Sequence, residues 1–220
     1  MRSFFGSAPN AAARGRALCI GGVKRSRTGR CALVIASLLG ASGSAWGQAA
    51  ELWFNAGESL LSSGLGGLTP NDYYLTNGFR FGFAFTFNPK MFFGAEVAYN
   101  YNRTHLHSTS LGADLGGMAI HQGDFNALAY ATKEGSRIRP FATGGIGFAN
   151  YVPPGTSATS GGGSTEFSVN YGGGIKVKLT SLISARLDYK QYATPKPFGL
   201  PNASGWVHQN VITGGVGIGF

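Results

Sequence analysis

Two of the four histidines stand one residue apart, in the segment His105-Leu106-His107. Alternate side chains of a strand point to the same face, so this spacing could present two imidazoles to one metal ion. No acidic residue is held beside the pair by spacing, and His121 and His208 lie elsewhere in the chain. Surface histidines in a loop explain the pair more simply, so the sequence predicts no metal site and no cofactor.

A site that modifies lipid would need a nucleophile with an acid–base partner beside it. Ser59, Ser204 and His208 are available for such a site, with Glu58 and Asp72 within reach in predicted loops. No nucleophile motif surrounds either serine. We therefore predict that the protein is not an enzyme, and a lipid-modifying enzyme stays as the less favoured alternative.

A set of charged residues alternates along the chain with large apolar side chains. Four members are basic and three are acidic, and all share the strand face opposite to the apolar one. Charges enclosed in a protein are costly unless they are paired. We therefore predict a neutralising network with Glu96 and Asp188 among its carboxylates and Arg80 and Arg186 among its cations. The whole set is Arg80, Glu96, Asp124, Lys176, Lys178, Arg186 and Asp188.

The segments that carry these charges repeat with a period of two, as strands do. In 78–87, phenylalanine occupies every second position, and small residues and Arg80 lie between. A soluble sheet keeps its wet face rich in Lys, Glu and Thr, whereas a small-residue face suits a narrow interior with the aromatic face toward lipid. The same alternation marks 93–102, 167–179, 183–190 and 212–220, and more weakly 50–57, 122–131 and 139–149, where Ala142, Ile146 and Phe148 are assigned outward.

These eight segments predict an all-β fold, an eight-stranded antiparallel up-and-down transmembrane barrel. Hydrocarbon offers no hydrogen bonds, so a sheet that crosses it must close on itself. Short connections are predicted at 88–90, 132–137 and 180–181, and long ones at 58–72, 103–117, 151–165 and 193–206. Aromatic residues near the predicted strand ends would form interface girdles. They are Tyr99, Tyr101, Tyr151, Tyr189, Tyr192 and Trp206.

Residues 1–49 are predicted to be a secretory signal peptide with a helical apolar segment. The basic stretch 24–30 precedes the apolar run 31–40, and small residues then lead to cleavage after Gly47 or Ala49. The run is too short for a membrane-spanning helix, which needs about 20 apolar residues. The mature chain is therefore expected to be the barrel of residues 50–220.

The basic character of the chain belongs mostly to this signal. The formal net charge is +9, and the first fifty residues hold seven basic residues and no acidic one. Residues 51–220 are almost neutral, so a nucleic-acid partner is not expected. Because the basic region is unusually long, we predict that translation starts at Val23 and that residues 1–22 are a misassigned start. Both cysteines, Cys19 and Cys31, precede the expected cleavage site, so the mature chain forms no disulfide.

The chain resembles the small outer-membrane β-barrels of Gram-negative bacteria, the OmpA/OmpX-like and Opa-like group. The resemblance covers 50–220 and rests on the signal, on the strands at 139–148 and 169–178, and on the terminal strand. Members of the family typically end in an aromatic residue that their assembly machinery recognises. Gly214 departs from the apolar pattern before that residue. The matching positions, expected as an assembly signal, are Ile212, Val216, Ile218 and Phe220.

The resemblance implies residence in the cell outer membrane and does not imply one activity. We expect an integral barrel with a lumen filled by side chains, in a structural or surface-interaction role carried by four external loops. The alternative is a small channel for ions or hydrophobic solutes. Expected partners are outer-membrane lipid, the barrel-assembly machinery and periplasmic chaperones. The sequence names no ligand of the external loops.

Overall fold

The computed structural model describes residues 50–61, 63–90, 92–157 and 162–220. The predicted signal peptide, its cleavage positions, Val23 and both cysteines lie outside the described residues. In the part of the chain that is described, no helix is long and apolar enough to cross a membrane.

Within the described residues, ten antiparallel strands form one sheet, and a 3-10 turn lies at Pro197–Gly199. The first five strands are β1 (Ala50–Leu61), β2 (Gly64–Gly66), β3 (Tyr73–Leu75), β4 (Gly78–Lys90) and β5 (Phe93–Ser108). The others are β6 (Ala113–Tyr130), β7 (Ile138–Val152), β8 (Ser164–Lys178), β9 (Ile183–Pro195) and β10 (Trp206–Gly219).

Eight of these strands close into a barrel, which confirms the predicted fold class. Strand β1 pairs with β4 on one side and with β10 on the other, from Glu51 opposite Gly219 to Leu61 opposite Gln209. The pairs β5–β6, β6–β7, β7–β8 and β8–β9 complete the ring. Strands β2 and β3 stand apart from the ring, because β3 pairs only with the last residues of β5 and with β2.

Each strand of the barrel separates apolar from polar side chains by the pleat. On β4, the phenylalanines face outward and Phe83 keeps 54% of its surface exposed, whereas Arg80 between them is 1% exposed. The outward assignments of Ala142, Ile146 and Phe148 on β7 are confirmed. Apolar surface outside and charge inside is the reverse of a soluble barrel, and it fits a hydrocarbon surrounding.

Connections divide the barrel into two ends, which we name the loop end and the turn end. The loop end carries the connections 62–77, 109–112, 153–163 and 196–205. The turn end carries 91–92, 131–137 and 179–182, together with Ala50 and Phe220, whose backbones are bonded to each other.

The prediction of a long connection at 103–117 is wrong, because β5 and β6 continue to a tight turn at 109–112. Beyond the apolar band the outward face of β5 carries polar residues, Arg103 and His105, so the apolar alternation disappears from the sequence while backbone pairing persists. The first long connection is displaced for the same reason, since β1 runs to Leu61. Strand β4 likewise runs to Lys90, past the predicted start of its turn.

Three outward tyrosines mark an interface near the loop end, and each of the three is bonded to a polar side chain on the next strand. The Tyr99 hydroxyl lies 2.6 Å from Nδ1 of His121. The hydroxyls of Tyr171 and Tyr189 donate to Gln191 at 2.5 Å and to Asn210 at 2.8 Å. An aromatic body with a bonded polar tip is typical of a membrane–water boundary.

Two of the predicted girdle residues are placed wrongly. Tyr151 and Tyr192 are each 1% exposed and point into the lumen. Both tyrosines occupy alternate positions that face inward on β7 and β9. The direction of a side chain in these strands is therefore set by its place in the alternation and not by its nearness to a strand end. Tyr99, Tyr189 and Trp206 do project outward, each with nearly half of its surface exposed.

The two tryptophans of the barrel provide a test of which face meets lipid. Trp53 is buried in the lumen and Trp206 projects outward near the loop end. In vesicles that contain brominated acyl chains, we expect Trp53→Phe to keep the quenching of fluorescence and Trp206→Phe to lose most of it. The mature chain expected from the sequence, residues 50–220, contains no other tryptophan. Stronger quenching of Trp53 would contradict the inside–outside assignment.

Candidate functional site

The lumen is the candidate site, and its first layer lies near the turn end. The ammonium group of Lys176 on β8 is bonded to Glu51 on β1 and donates to the Tyr130 hydroxyl at 2.7 Å. The Trp53 indole donates to the same Glu51 carboxylate at 3.1 Å. The Arg139 guanidinium lies 3.8 Å from the centre of the Tyr130 ring, a cation–π geometry. Together these side chains span the barrel.

The second layer is centred on Glu96, a carboxylate of β5 that is 2% exposed. Arg186 is bonded to Glu96 through its guanidinium, and Lys190 reaches a Glu96 oxygen at 2.9 Å. Arg186 also lies 2.6 Å from a carboxylate oxygen of Asp188. The Thr86 hydroxyl donates to Glu96 at 3.2 Å. Two cations and several hydrogen bonds around one carboxylate offset the cost of removing it from water.

A third layer surrounds Arg80, nearer the loop end. Its guanidinium donates to the Tyr192 hydroxyl at 2.8 Å and to the side-chain oxygen of Gln122. The Tyr192 hydroxyl in turn donates to Asp124 at 3.1 Å, while the direct approach of Arg80 to Asp124 is 3.9 Å. A chain of bonds continues from Gln122 to Gln209 at 2.9 Å. The arginine is therefore linked to its carboxylate mainly through a phenol.

The charges enclosed by the barrel nearly cancel. Four buried carboxylates, Glu51, Glu96, Asp124 and Asp188, accompany five buried cations, Arg80, Arg139, Lys176, Arg186 and Lys190. The cavity among the second and third layers has a volume of about 20 Å³. A cavity of this size holds about one water molecule. The lumen is therefore filled by its own side chains at this level.

An apolar layer, which we name the outer cap, closes the loop end of the lumen. Partly buried Phe198 and Leu200 from the connection 196–205 pack against it. Leu65 and Leu75 enter it from β2 and β3, so the connection 62–77 folds back over the mouth. The outer cap consists of Leu61, Leu65, Leu75, Met118, Ile120, Ala149, Tyr151 and Val207.

The two connections that cover the mouth are bonded to each other. The Gly67 amide donates to the Pro201 carbonyl at 2.8 Å, and the Asn202 side chain donates to the carbonyls of Gly67 and Leu68, both at 3.2 Å. Gly66 has a φ of 114°, and a Cβ there would lie 2.8 Å from the Pro201 carbonyl oxygen. The close crossing therefore requires glycine.

Asp72 holds the connection 62–77 against the β5–β6 hairpin. Its carboxylate accepts hydrogen bonds from the amides of Ser110 and Leu68, both at 3.0 Å, and from the Ser108 hydroxyl at 3.1 Å. The hydroxyl and amide of Ser110, with smaller contributions from Leu68 and Ser108, lower the pKa of Asp72 to about 2. The carboxylate therefore stays charged at neutral pH and links three segments of the loop end.

The structure brings together most of the residues that the sequence assigned to the lumen. Arg80, Glu96, Asp124, Lys176, Arg186 and Asp188 all lie inside and within the bonded layers. Lys178 lies at the mouth of the turn end, where it lines a pocket with Glu134 and Ser136, and it forms no ion pair with a described residue.

Sequence reasoning missed several members of the lumen. Lys190 and Tyr192 share the parity of Arg186 and Asp188, so a count of alternate positions along β9 would have found them. Glu51 shares the parity of Trp53 on β1, where the alternation is weak. Which of these residues meet across the barrel depends on the pairing register of strands far apart in sequence, which parity does not encode.

The other candidate residues do not assemble into a catalytic or metal site. Ser59 is buried in the lumen and accepts hydrogen bonds from Asn102 and Gln209, whereas Glu58 and His208 project from the outer face. The second acidic candidate, Asp72, is bonded as described above. No group of three His, Cys, Asp or Glu residues within the described ranges is placed to hold a metal ion.

His105 and His107 do share a face, as their spacing predicts. Nδ1 of His105 lies 2.9 Å from an oxygen of Asp114, and Nε2 of His107 lies 3.9 Å from the same oxygen. Asp114 comes from β6 across the hairpin, a neighbour that sequence spacing could not supply.

The residues expected as an assembly signal lie on one outward face of β10. Ile212, Val216 and Ile218 each expose about half of their surface, and Gly214 lies in the same row. The Phe220 ring packs 6.4 Å from the ring of Phe85, measured between centroids. Their role in assembly stays a prediction.

The comparisons with known proteins agree with this architecture. Residues 33–220 match the family described as outer membrane protein beta-barrel domain. The chain belongs to this family. It is therefore a protein of the cell outer membrane. Short turns of such barrels face the periplasm and longer connections face outside, so the loop end is external and the turn end is periplasmic.

A solved outer-membrane barrel shares the fold at low identity. The crystal structure of Neisserial surface protein A is 16% identical, with a TM-score of 0.58, and the match covers 78% of this chain and 97% of that chain. OprG from Pseudomonas aeruginosa is 13% identical, with a TM-score of 0.49, over 79% of this chain and 97% of that one. No curated protein matches the chain.

Removal of the central carboxylate should destabilise the barrel. Because Glu96→Gln leaves Arg186 and Lys190 buried without their main counter-charge, we expect a loss of about 3–5 kcal/mol in the free energy of unfolding. Urea titration in lipid vesicles, followed by tryptophan fluorescence, measures this change. The matched control is Glu58→Gln, an exposed carboxylate, for which we expect a change within about 0.5 kcal/mol. Equal effects of the two substitutions would contradict the role of Glu96.

Asp72 should protect from hydrogen exchange the backbone amides that donate to its carboxylate. Because its folded-state pKa lies below the ordinary value, this stabilisation is complete above about pH 4 and is lost as the pH falls toward 2. At neutral pH we expect faster exchange at Leu68 and Ser110 in Asp72→Asn, measured by NMR. Asp114→Asn serves as a control, since Asp114 accepts from Gly116 and His105 instead. Unchanged exchange in Asp72→Asn would refute the link.

Proposed function

We propose that this protein is a closed outer-membrane barrel that serves as a structural and surface-interaction protein, with no enzymatic activity. In this proposal the membrane-spanning part is a scaffold, and the external connections carry any binding. The observation that carries the proposal is the filled lumen, in which three bonded polar layers and the outer cap follow one another between the two mouths.

The lumen layers argue against a path for ions. Glu96 is bonded to Arg186 and Lys190 from the opposite wall, and Arg80 reaches across to Gln122 and Tyr192. An ion that passed this level would have to separate buried charge pairs, and separation of one such pair costs several kcal/mol. The barrel is also narrow, because eight strands leave an interior that side chains alone can fill.

An apolar solute would meet a different obstacle. The outer cap gives an apolar solute an apolar environment at the loop end, but the three polar layers lie between the cap and the periplasm. Transfer of an apolar molecule through bonded charges leaves those groups without partners, which is costly in a dry interior. The closed barrel therefore explains the lumen better than a channel for hydrophobic solutes.

Order at the loop end supports a role in surface interaction. Strands β5 and β6 have 16 and 18 residues and rise beyond β7, since pairing of β6 with β7 ends at Ala119. Strands β2 and β3 extend this hairpin sideways, and Asp72 fastens them to it. A pre-organised surface loses less conformational entropy when it binds a partner.

The remaining partners follow from the place of the protein and are part of the proposal. Outer-membrane lipid covers the outward apolar face. The barrel-assembly machinery would read Ile212, Val216, Ile218 and Phe220 on the outward face of β10. Periplasmic chaperones would carry the unfolded chain, because its alternating segments expose apolar residues before closure.

Planar-bilayer recording tests the closed barrel directly. We expect the refolded protein to insert without steady conductance, because the bonded layers leave no continuous aqueous path. A known porin inserted in the same lipid controls for the recording, and heat-modifiable migration on a gel controls for folding.

The contrary outcome has a clear signature. Steady conductance whose ion selectivity changes in Arg80→Ala but stays the same in Arg137→Ala would assign the current to the lumen and refute the closed barrel. Arg137 is the matched control, because it is an exposed arginine in the periplasmic turn 131–137.

A further inference from the structure

We propose that the outward face of the β5–β6 hairpin binds the phosphate of an outer-leaflet lipid through Arg103. This site lies outside the lumen and does not depend on whether the barrel conducts. It depends on three features of the hairpin, which are the position of Arg103 relative to the membrane boundary, the freedom of its guanidinium and the aromatic surface beneath it.

The position of Arg103 places it among lipid headgroups. The outward residues of β5 run in order through Val97, Tyr99, Tyr101 and Arg103. The bonded pair of Tyr99 and His121 marks the interface. Each step of two residues along a tilted strand rises by about 5 Å along the membrane normal. The polar layer of a bilayer extends roughly 5–8 Å beyond the hydrocarbon on each side. The Tyr99 hydroxyl bonds to His121, which is opposite Tyr101, so the boundary reaches the level of Tyr101. Arg103 lies one step, about 5 Å, beyond it, at the level of the phosphates.

The guanidinium of Arg103 is available for a ligand. Arg103 is exposed and forms no ion pair with any residue that the structure describes. The group lies over Gly117 of β6, where a Cβ would be 2.5 Å from Nη2 and 2.9 Å from Nε. Asp114, the carboxylate of the same hairpin, is engaged with His105 and His107. Because Gly117 has no side chain, the unpaired guanidinium can lie directly against the backbone of β6.

An unpaired cation at this place is exceptional in the barrel. The other arginines and lysines of the strands whose side chains are described point into the lumen or line its periplasmic mouth. Guanidinium groups bind phosphate through two parallel hydrogen bonds, which a phosphorylated headgroup can satisfy. The charge of Arg103 is therefore complementary to the surface that surrounds it.

Aromatic side chains below Arg103 form a surface for acyl chains. Phe79 is paired with Arg103 across β4 and β5, and 60% of its surface is exposed. The rings of Phe81 and Tyr101 lie 5.2 Å apart, and Tyr101 meets His121 edge-on at 5.1 Å, between ring centroids. A cation above an aromatic wall matches a phosphorylated glycolipid, with charge at its head and hydrocarbon below.

One carboxylate shares the row with Arg103. Glu58 is opposite Phe79, which separates it from Arg103 by one strand. Neighbouring strands lie about 4.8 Å apart, so the two backbones are roughly 10 Å from each other, with an aromatic ring between them. Because the guanidinium itself lies over Gly117, the phosphate is expected against it on the β6 side, away from Glu58.

Lipid titration tests the site. Protein purified from outer membranes into detergent would be titrated with lipid A that carries both phosphates and with lipid A that has been dephosphorylated, and bound lipid counted by native mass spectrometry. We expect Arg103→Ala to weaken binding of the phosphorylated form about tenfold, the loss of one charge-assisted contact, and to leave the dephosphorylated form unchanged. Arg103→Lys should keep more of the affinity than Arg103→Ala.

Two controls keep the test decisive. Arg137→Ala removes an exposed arginine at the periplasmic end and should leave both affinities unchanged, and heat-modifiable migration verifies closure of every variant. Equal affinity of Arg103→Ala and the wild type would overturn the proposal. An equal loss for both lipids, or an equal loss in Arg137→Ala, would also overturn it. Displacement of the lipid by millimolar inorganic phosphate alone would assign the site to a free anion instead.

Discussion

The whole structure depends on one constraint, which is that hydrocarbon supplies no partner for a backbone amide or carbonyl. Every strand within the membrane must therefore be paired on both edges, and closure of β1 on β10 completes the ring. Closure also divides the side chains, because the pleat sends alternate residues outward and inward. The apolar surface of β4 and the charged interior around Glu96 are consequences of the same geometry.

Inside the ring, the narrow space decides which residues can be accommodated. Long side chains such as Arg186 and Arg80 reach across to the opposite wall, and they need counter-charges there because they have lost water. Glu96 and Asp124 supply these charges, and phenol and amide groups complete the bonding. These side chains leave a cavity of only about 20 Å³ among the second and third layers.

The constraint ends at the membrane boundary, and the character of the chain changes there. Beyond the tyrosine pairs, β5 and β6 continue with polar residues such as Arg103 and His105 on the outward face of β5, and short strands join them at the side. Asp72 and the crossing at Gly66 give this end an order that hydrophobic burial alone would not provide. Arg103 stands at the transition, where a side chain can meet both water and lipid headgroups.

The sequence by itself determined the strand period, the closed fold, and the inward side of Arg80, Glu96, Arg186 and Asp188, because the pleat is a local property of each strand. It did not determine which inward side chains contact one another across the barrel. The pairing of Glu96 with Lys190, and of Lys176 with Glu51, follows from the register of distant strands, which only the closed barrel decides. The sequence also did not reveal the length of the β5–β6 hairpin. Above the membrane the apolar alternation that reveals a strand ends, while the backbone hydrogen bonds continue.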